Sequence, residues 1–407
     1  MHLLFAWRYF KAKKSTNAIN IIAWISIVAI VAGTTALILV LSVFNGFEDL
    51  VKSLYSNFYT DLKISSSNGK VINLSQAQLD KLRSIKGIRN FSLVMEEKAF
   101  LQNGEFQTVV HLKGVDDNYQ YVTGVPEHLV KGEYNLGTDE NPSMILGAGI
   151  ENAIGIQADR NIFPILVYLP RKTNVDLTDP FQSISADTVI TTGAFVIQQD
   201  FDNKYAITNL PFLKRMMGLA ANQYGGVEIA LNNPSEAESI KKELEKTFFE
   251  TYLVQTRYEQ NQSLYSVMRA EKWVIYAILS LILIVAAFNM IGALTMLVLE
   301  KEKDISVIHA LGGSKKLIQN IFLSEGVLLA TIGAVLGMFI AGLLAWLQIQ
   351  FKLIPLEGGS FVIDYFPVKL QLADFLLVGF TVFIIALIAS IIPSRKAASQ
   401  EFSLRSE

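Results

Sequence analysis

The chain has 407 residues, is 51% hydrophobic and carries a formal net charge of −2, from 35 Lys and Arg against 37 Asp and Glu. So small a net charge provides no global field for nucleic acid. Cysteine is absent, which excludes disulfides and any two-Cys motif.

The apolar residues gather in four segments, each long enough to cross a bilayer core, which takes about 20 residues of helix. Residues 1–17 read as a cytoplasmic N-terminal amphipathic segment carrying Arg8, Lys11, Lys13 and Lys14 and no acid. Residues 18–44 are the first span. This run is too long for the core of a cleaved signal and no A-x-A-like site follows it, so it reads as an uncleaved helix.

Residues 45–272 have an ordinary soluble composition, and two of their pieces look alike. LKIS is followed by SQAQLDKLRSIKGI and FSLVMEE; far downstream VEIAL is followed by SEAESIKKELEKTF and TYLVQTRYE. Each helix is expected to open with a capping box, Ser75 with Gln78 and Ser235 with Glu238. Two βαβ units so far apart imply split, ferredoxin-like halves, although two unrelated βαβ patterns would read the same. The stretch between them predicts a second lobe, with a hairpin at Asn103-Gly104, a strand entering a short helix in MILGAGIENAIGI, and strands in IFPILVYLP and TVITTGAFVIQ. The last two enclose a long polar connection, Arg171–Asp187, either a partner-docking loop or a mobile tip.

Spans at 273–299, 317–347 and 372–393 follow, with an outer loop at 348–371 and a tail at 394–407. Between the second and third spans, 300–316 holds a short helix pattern. Ile305, Ile308 and Leu311 recur at three-residue spacing, Glu300 and Asp304 crowd its start, and Gly312-Gly313 stops it. An amphipathic helix of this kind lies on a membrane surface or fills a groove in a soluble partner, and its charges favour the groove. Lys and Arg gather in the N-terminal segment, in this connection (Lys301, Lys303, Lys315, Lys316) and in the tail (Arg395, Lys396, Arg405). The other flanks are poorer, so both termini are expected in the cytoplasm and the large domain outside. The fold class is therefore an α-helical membrane protein with four transmembrane helices plus a large two-lobed α+β extracytoplasmic domain.

No pattern supports catalysis or a metal site. His2, His111, His128 and His309 lie at no ligand spacing, no G-x-S-x-G or H-E-x-x-H occurs, and LGGSKK lacks the spacing of a phosphate loop. Within the spans, Asn289 is expected to hydrogen-bond across helices. Glu325 is expected to reach the cytoplasmic interface or pair with Lys315, Lys316 or Arg395, the alternative being a transport role. Gly333 and Gly337 offer a small packing face.

The run IVAAFNMIGALTMLVLEKEKDISVIHALGGSKKLIQNIFLSEGVLLATIGAVLG, with WISIVAIVAGTTALILVLSVFNGFE near the N-terminus, resembles the lipoprotein-releasing ABC transporter permeases of the LolC/LolE family, within wider MacB- and FtsX-like relatives. NGFE at Asn45–Glu48 and the EK..DI core are its specific motifs, and the likeness covers essentially the whole chain. It implies a permease in which a separate cytoplasmic ATPase dimer holds the ATP and Mg, so the chain needs no cofactor of its own. It further implies a second permease copy or paralogue, lipoprotein cargo drawn from the membrane lipid, and a periplasmic chaperone.

By the same resemblance, the large domain is porter-like and the coupling residues are Glu300, Asp304, Ile305, Ile308, Leu311 and Gly312. The substrate path is bordered by Val40, Phe44, Ile275 and Tyr276. The chaperone-docking loop, with Pro170, Arg171, Lys172, Asp179, Pro180 and Phe181, stands where LolC-type members carry a hooked hairpin. The competing functions are a MacB-like efflux permease, which would usually carry a fused ATPase, and an FtsX-like regulator of cell-wall hydrolases, which would have a smaller outer domain.

Overall fold

The computed structural model describes residues 17–160, 163–171, 184–247, 252–356 and 363–399. The chain divides into two compact units, one built from both ends (Met1–Leu50 and Ser266–Glu407) and one from the middle (Val51–Tyr265). Helix α1, Asn17–Phe58, starts in the first and ends in the second. It runs well past the apolar stretch because nothing between Glu48 and Phe58 is a Gly or Pro that would stop it.

The middle unit opens with β1 (Leu62–Ser66), α2 (Gln76–Ser84) and β2 (Ile88–Asn103). Ser75 and Gln78 form the reciprocal box at the start of α2. Next come β3 (Phe106–Val115), β4 (Leu129–Gly132), β5 (Ser143–Gly147), α3 (Ala148–Ala153), β6 (Ile165–Pro170) and β7 (Ile184–Phe195). Then follow β8 (Tyr205–Asn209), α4 (Leu210–Met217), β9 (Gly226–Leu231), α5 (Ala237–Thr247) and β10 (Tyr252–Thr256).

The strand order is β10-β1-β9-β2-β3-β8-β5-β7-β4, with β6 pairing both β2 and β7. At one end every neighbour is antiparallel, so β1 and β2 run parallel with β9 between them, and β9 and β10 run parallel with β1 between them. Leu62, Ile64, Val227, Ile229 and Val254 of these strands pack on Leu79, Leu82, Ile240 and Leu244 of α2 and α5. The remaining strands continue the same sheet over a second core cluster of Met95, Leu101, Leu112, Leu146, Val167 and Phe212 among others. The long strand β2 serves both, pairing β9 through Ile88–Val94 and β6 through Phe100–Gln102.

Three local expectations are corrected. The β2–β3 hairpin turns on Gly104-Glu105, since Asn103 pairs with Phe106, and Gly104 takes φ +57°. Ser235 does not open α5: Asn233 accepts from the Ser235 amide and Pro234 begins a 3-10 turn, so the α-helix starts at Ala237. Ile184–Asp187, expected within the polar connection, are strand residues paired with Val167–Pro170.

The helical unit is completed by α6 (Gln262–Glu300), α7 (Glu302–Ala310), α8 (Lys315–Phe351) and α9 (Leu372–Ser399). Among the described residues, four helices are long and apolar enough to cross a membrane. Ile27, Ile30, Leu37, Ile38 and Leu41 of α1 meet Leu283 and Met290 of α6, Leu329 of α8 and Val378 and Val382 of α9. Gly333 and Gly337 let α8 close on α1: a Cβ at 337 would stand 2.8 Å from the Val31 carbonyl oxygen, and Thr35 Oγ1 donates to the Gly337 carbonyl at 3.1 Å.

Candidate functional site

The segment joining α6 to α8 is fixed at both ends. Glu300 is the last residue of α6, Lys301 is a one-residue break, and α7 then runs to Ala310. Gly312 has φ +84°, and a Cβ at Gly313 would come within 2.8 Å of the Ile308 carbonyl oxygen, so this turn admits glycine at both places. Ser314 caps α8 by accepting from the Leu317 amide at 3.2 Å.

The apolar stripe expected to lie open is divided. Ile305 is buried against Val298, Ile318, Phe322 and Ala397, and Ile308 packs half-buried against the same cluster. Leu311, by contrast, is 83% exposed and Val307 59%. The outward apolar pair is therefore Val307 and Leu311, ringed by exposed Glu302, Lys303 and Asp304. Sequence spacing missed Val307 because Ile305, Ile308 and Leu311 satisfy the same periodicity. Asp304 is 3.4 Å from Lys301, an i,i+3 pair across the break.

Of the expected path residues, Val40 is exposed, while Phe44 and Ile275 are half-buried. Tyr276 turns back into its own bundle, its hydroxyl bonding to Thr381 of α9. The exposed apolar side chains beside it are Trp273, Val274 and Ile278. Asn289 is exposed and makes no cross-helix bond among the described residues, against expectation, because its neighbour Met290 takes the inward position. Glu325 is only 2% exposed; among the described residues its Oε2 has no hydrogen-bond partner, and it pairs with none of Lys315, Lys316 or Arg395. It lies one residue before Gly326, where α8 crosses Ser390 and Leu294 closely.

Pro170 ends β6 opposite Ile184 and Arg171 is exposed. Lys172, Asp179, Pro180 and Phe181 lie outside the described residues.

One polar feature of the middle unit has no counterpart in the sequence reading. Lys113 and Glu228 are buried together at 2.8 Å, with Lys63 3.6 Å from the same carboxylate. Above them a cavity of about 570 Å³ is lined by Tyr59, Lys63, Lys70, Glu96, Glu97 and His111 among others. His111 Nδ1 stands 2.9 Å from Glu96 Oε1, and Lys70 Nζ 2.6 Å from Glu97 Oε1. Part of the signal was present as single charges on the strand face away from α2 and α5: Lys63 in β1, Glu96 in β2, His111 and Lys113 in β3 and Glu228 in β9. Among the described residues no cluster of His, Asp and Glu could hold a metal ion.

Residues 23–247 match the MacB-like periplasmic core domain family, and residues 276–402 match the FtsX-like permease C-terminal family. The lipoprotein-releasing system transmembrane protein LolC of Neisseria meningitidis serogroup B is 25% identical over 425 residues, covering 98% of each chain. LolE of Haemophilus influenzae is 25% identical over 407 residues, covering 97% of this chain and 96% of its own. LolC of Xylella fastidiosa (strain 9a5c) is 23% identical over 408 residues, covering 96% and 95%. The solved periplasmic region of MacB from Actinobacillus actinomycetemcomitans, 12% identical, covers 53% of this chain and 98% of its own at a TM-score of 0.35, too low to bear on the argument. Four apolar helices and a periplasmic core domain make this an inner-membrane protein. The chain belongs to the permeases that join a MacB-like periplasmic core domain to an FtsX-like C-terminal domain, and among them to the LolC/LolE family.

Proposed function

We propose that this chain is the permease subunit of an ATP-driven lipoprotein-releasing ABC transporter, which lifts lipoproteins from the inner membrane and passes them to a periplasmic chaperone. The observation that carries the reading is the end-to-end match with LolC and LolE chains, covering 98% of both partners in the first case. The geometry supports it. A permease of this class needs no catalytic residue, only a rigid part on which a separate ATPase can push. Helix α7 is such a part, seated by Ile305 on the helices that flank it and offering Val307 and Leu311 outward.

In this reading the ATPase dimer binds ATP and Mg, a second permease copy or paralogue completes the membrane part, and both termini with α7 are cytoplasmic. The split strands β1, β2, β9 and β10 with α2 and α5 are the porter-like lobe. The chain carries no cofactor, and acyl chains pass between helices bordered by Val40, Phe44 and Ile275. The connection after Arg171 is the chaperone contact. Depletion of the protein tests the function: outer-membrane lipoproteins should accumulate in the inner-membrane fraction. Unchanged sorting, in a cell without a paralogue, would favour a MacB-like efflux role, the alternative that the periplasmic core match supports.

A further inference from the structure

The NGFE motif beyond the first apolar run is not explained by coupling or by cargo contact. Asn45 is 1% exposed and Asp374 4% exposed. The Asn45 amide Nδ2 donates to Asp374 Oδ2 at 2.5 Å, and its Oδ1 accepts from Lys272 Nζ at 2.7 Å. Lys272 Nζ lies 3.4 Å from the other oxygen of Asp374. One residue from each of α1, α6 and α9 thus meets in a neutral triad whose charges are satisfied by each other and by the amide between them. The backbone closes around it: the Lys369 amide donates to the Ser42 carbonyl at 2.9 Å, and a Cβ at Gly46 would fall 2.3 Å from the Pro367 carbonyl oxygen.

We propose that Asn45, Lys272 and Asp374 form a polar lock that fastens the ends of α1, α6 and α9 into one moving body. Drawing α1 away from α6 and α9 would strip the Asn45 amide from the buried Asp374 carboxylate and from the half-buried Lys272 ammonium, leaving that pair short of hydrogen bonds, which is costlier than sliding apolar surfaces. The lock therefore holds the α1–α6 border of each chain shut. Asn is the residue this needs, since its amide presents a donor to the carboxylate and an acceptor to the ammonium at once. The three are positioning residues and touch no cargo. This step rests on the permease reading above.

Two measurements test it on the complete complex, reconstituted in vesicles of phosphatidylethanolamine and phosphatidylglycerol. Phe47 and Phe366, whose rings are 5.9 Å apart, are replaced by cysteine in this cysteine-free chain and joined by a short bis-methanethiosulfonate. Asp374→Asn or Asn45→Leu should slow the joining by roughly fivefold or more. Combining Lys272→Asp with Asp374→Lys should restore it, because the Asn45 amide can turn over to serve the exchanged pair. Release of a fluorescent triacylated lipoprotein per ATP hydrolysed should fall similarly in Asp374→Asn, with the yield of assembled complex unchanged. Loss of assembled complex with that ratio intact would reduce the triad to a folding contact, and an unchanged joining rate would overturn the lock. Lock-dependent joining in a complex that moves no lipoprotein would leave the lock standing and remove the function proposed above.

Discussion

Glu96 shows how the charged sheet face of the middle unit is maintained. Burial acts to raise its carboxyl, but the hydrogen bond with His111, then the charges of Lys63 and Lys113, outweigh it and hold it at about 2. A carboxylate depressed below its ordinary value of about 4.3 contributes stability that is complete above that value and lost as pH falls toward the folded one. A fragment spanning residues 51–265 should therefore have a urea midpoint that declines from about pH 5 to about pH 3. Glu96→Gln should start lower and decline less over that window. Parallel declines in the two proteins would show that Glu96 is not the group responsible. Asp116 behaves in the opposite sense: burial raises it despite bonds from Ser92 and the Leu93 and Asn118 amides, so it offsets part of the effect in both proteins.

At the scale of elements, α7 separates two roles that one periodic pattern had merged. Val307→Asp or Leu311→Asp places charge on an exposed face, so the chain should insert and fold. If that face docks the ATPase, co-purified ATPase should drop about tenfold or more. Ile305→Asp instead buries a charge among Val298, Ile318 and Phe322 and should lower the yield of folded protein itself. Retention of the ATPase by both surface variants would place the coupling surface elsewhere. The existence of α7 could be read from its spacing and from Gly312-Gly313, since both signals are local. Its inward face could not, because that face is chosen by α6, α8 and α9, and Ala397 lies far along the chain. The same reason hid the direction of Asn289 and the enclosure of Glu325. Element placement followed the local signals closely at the box of Ser75 and Gln78. It departed where Pro234 moved the start of α5 and where Ile184–Asp187 found partners in β6. Of the triad, only Asn45 was legible, as part of NGFE, since Lys272 and Asp374 join it by folding rather than by spacing.

For the molecule as a whole, the proposed orientation rests on which lysines and arginines remain uncompensated. Lys303, Lys315, Lys316, Arg395 and Lys396 are exposed and make no ion pair among the described residues. At the opposite helix ends, Lys369 is held by Asp49 at 2.5 Å and Lys272 by Asp374 at 3.4 Å, while Lys352 sits 4.1 Å over the ring of Tyr365. Free cations beside a span resist translocation, whereas paired ones weigh less, so the structure sharpens the asymmetry that the sequence counts imply. Cysteines at Glu105 and Asn232, both exposed in the middle unit, should react with an impermeant maleimide from the periplasmic side. One at Ala310 should react only after the membrane is opened. With no native cysteine to contribute background, labelling at Ala310 from outside would invert the topology. Helix α7 would then lie on the side without ATP, and the coupling role, the ATPase partner and the direction of lipoprotein movement would all have to be abandoned together.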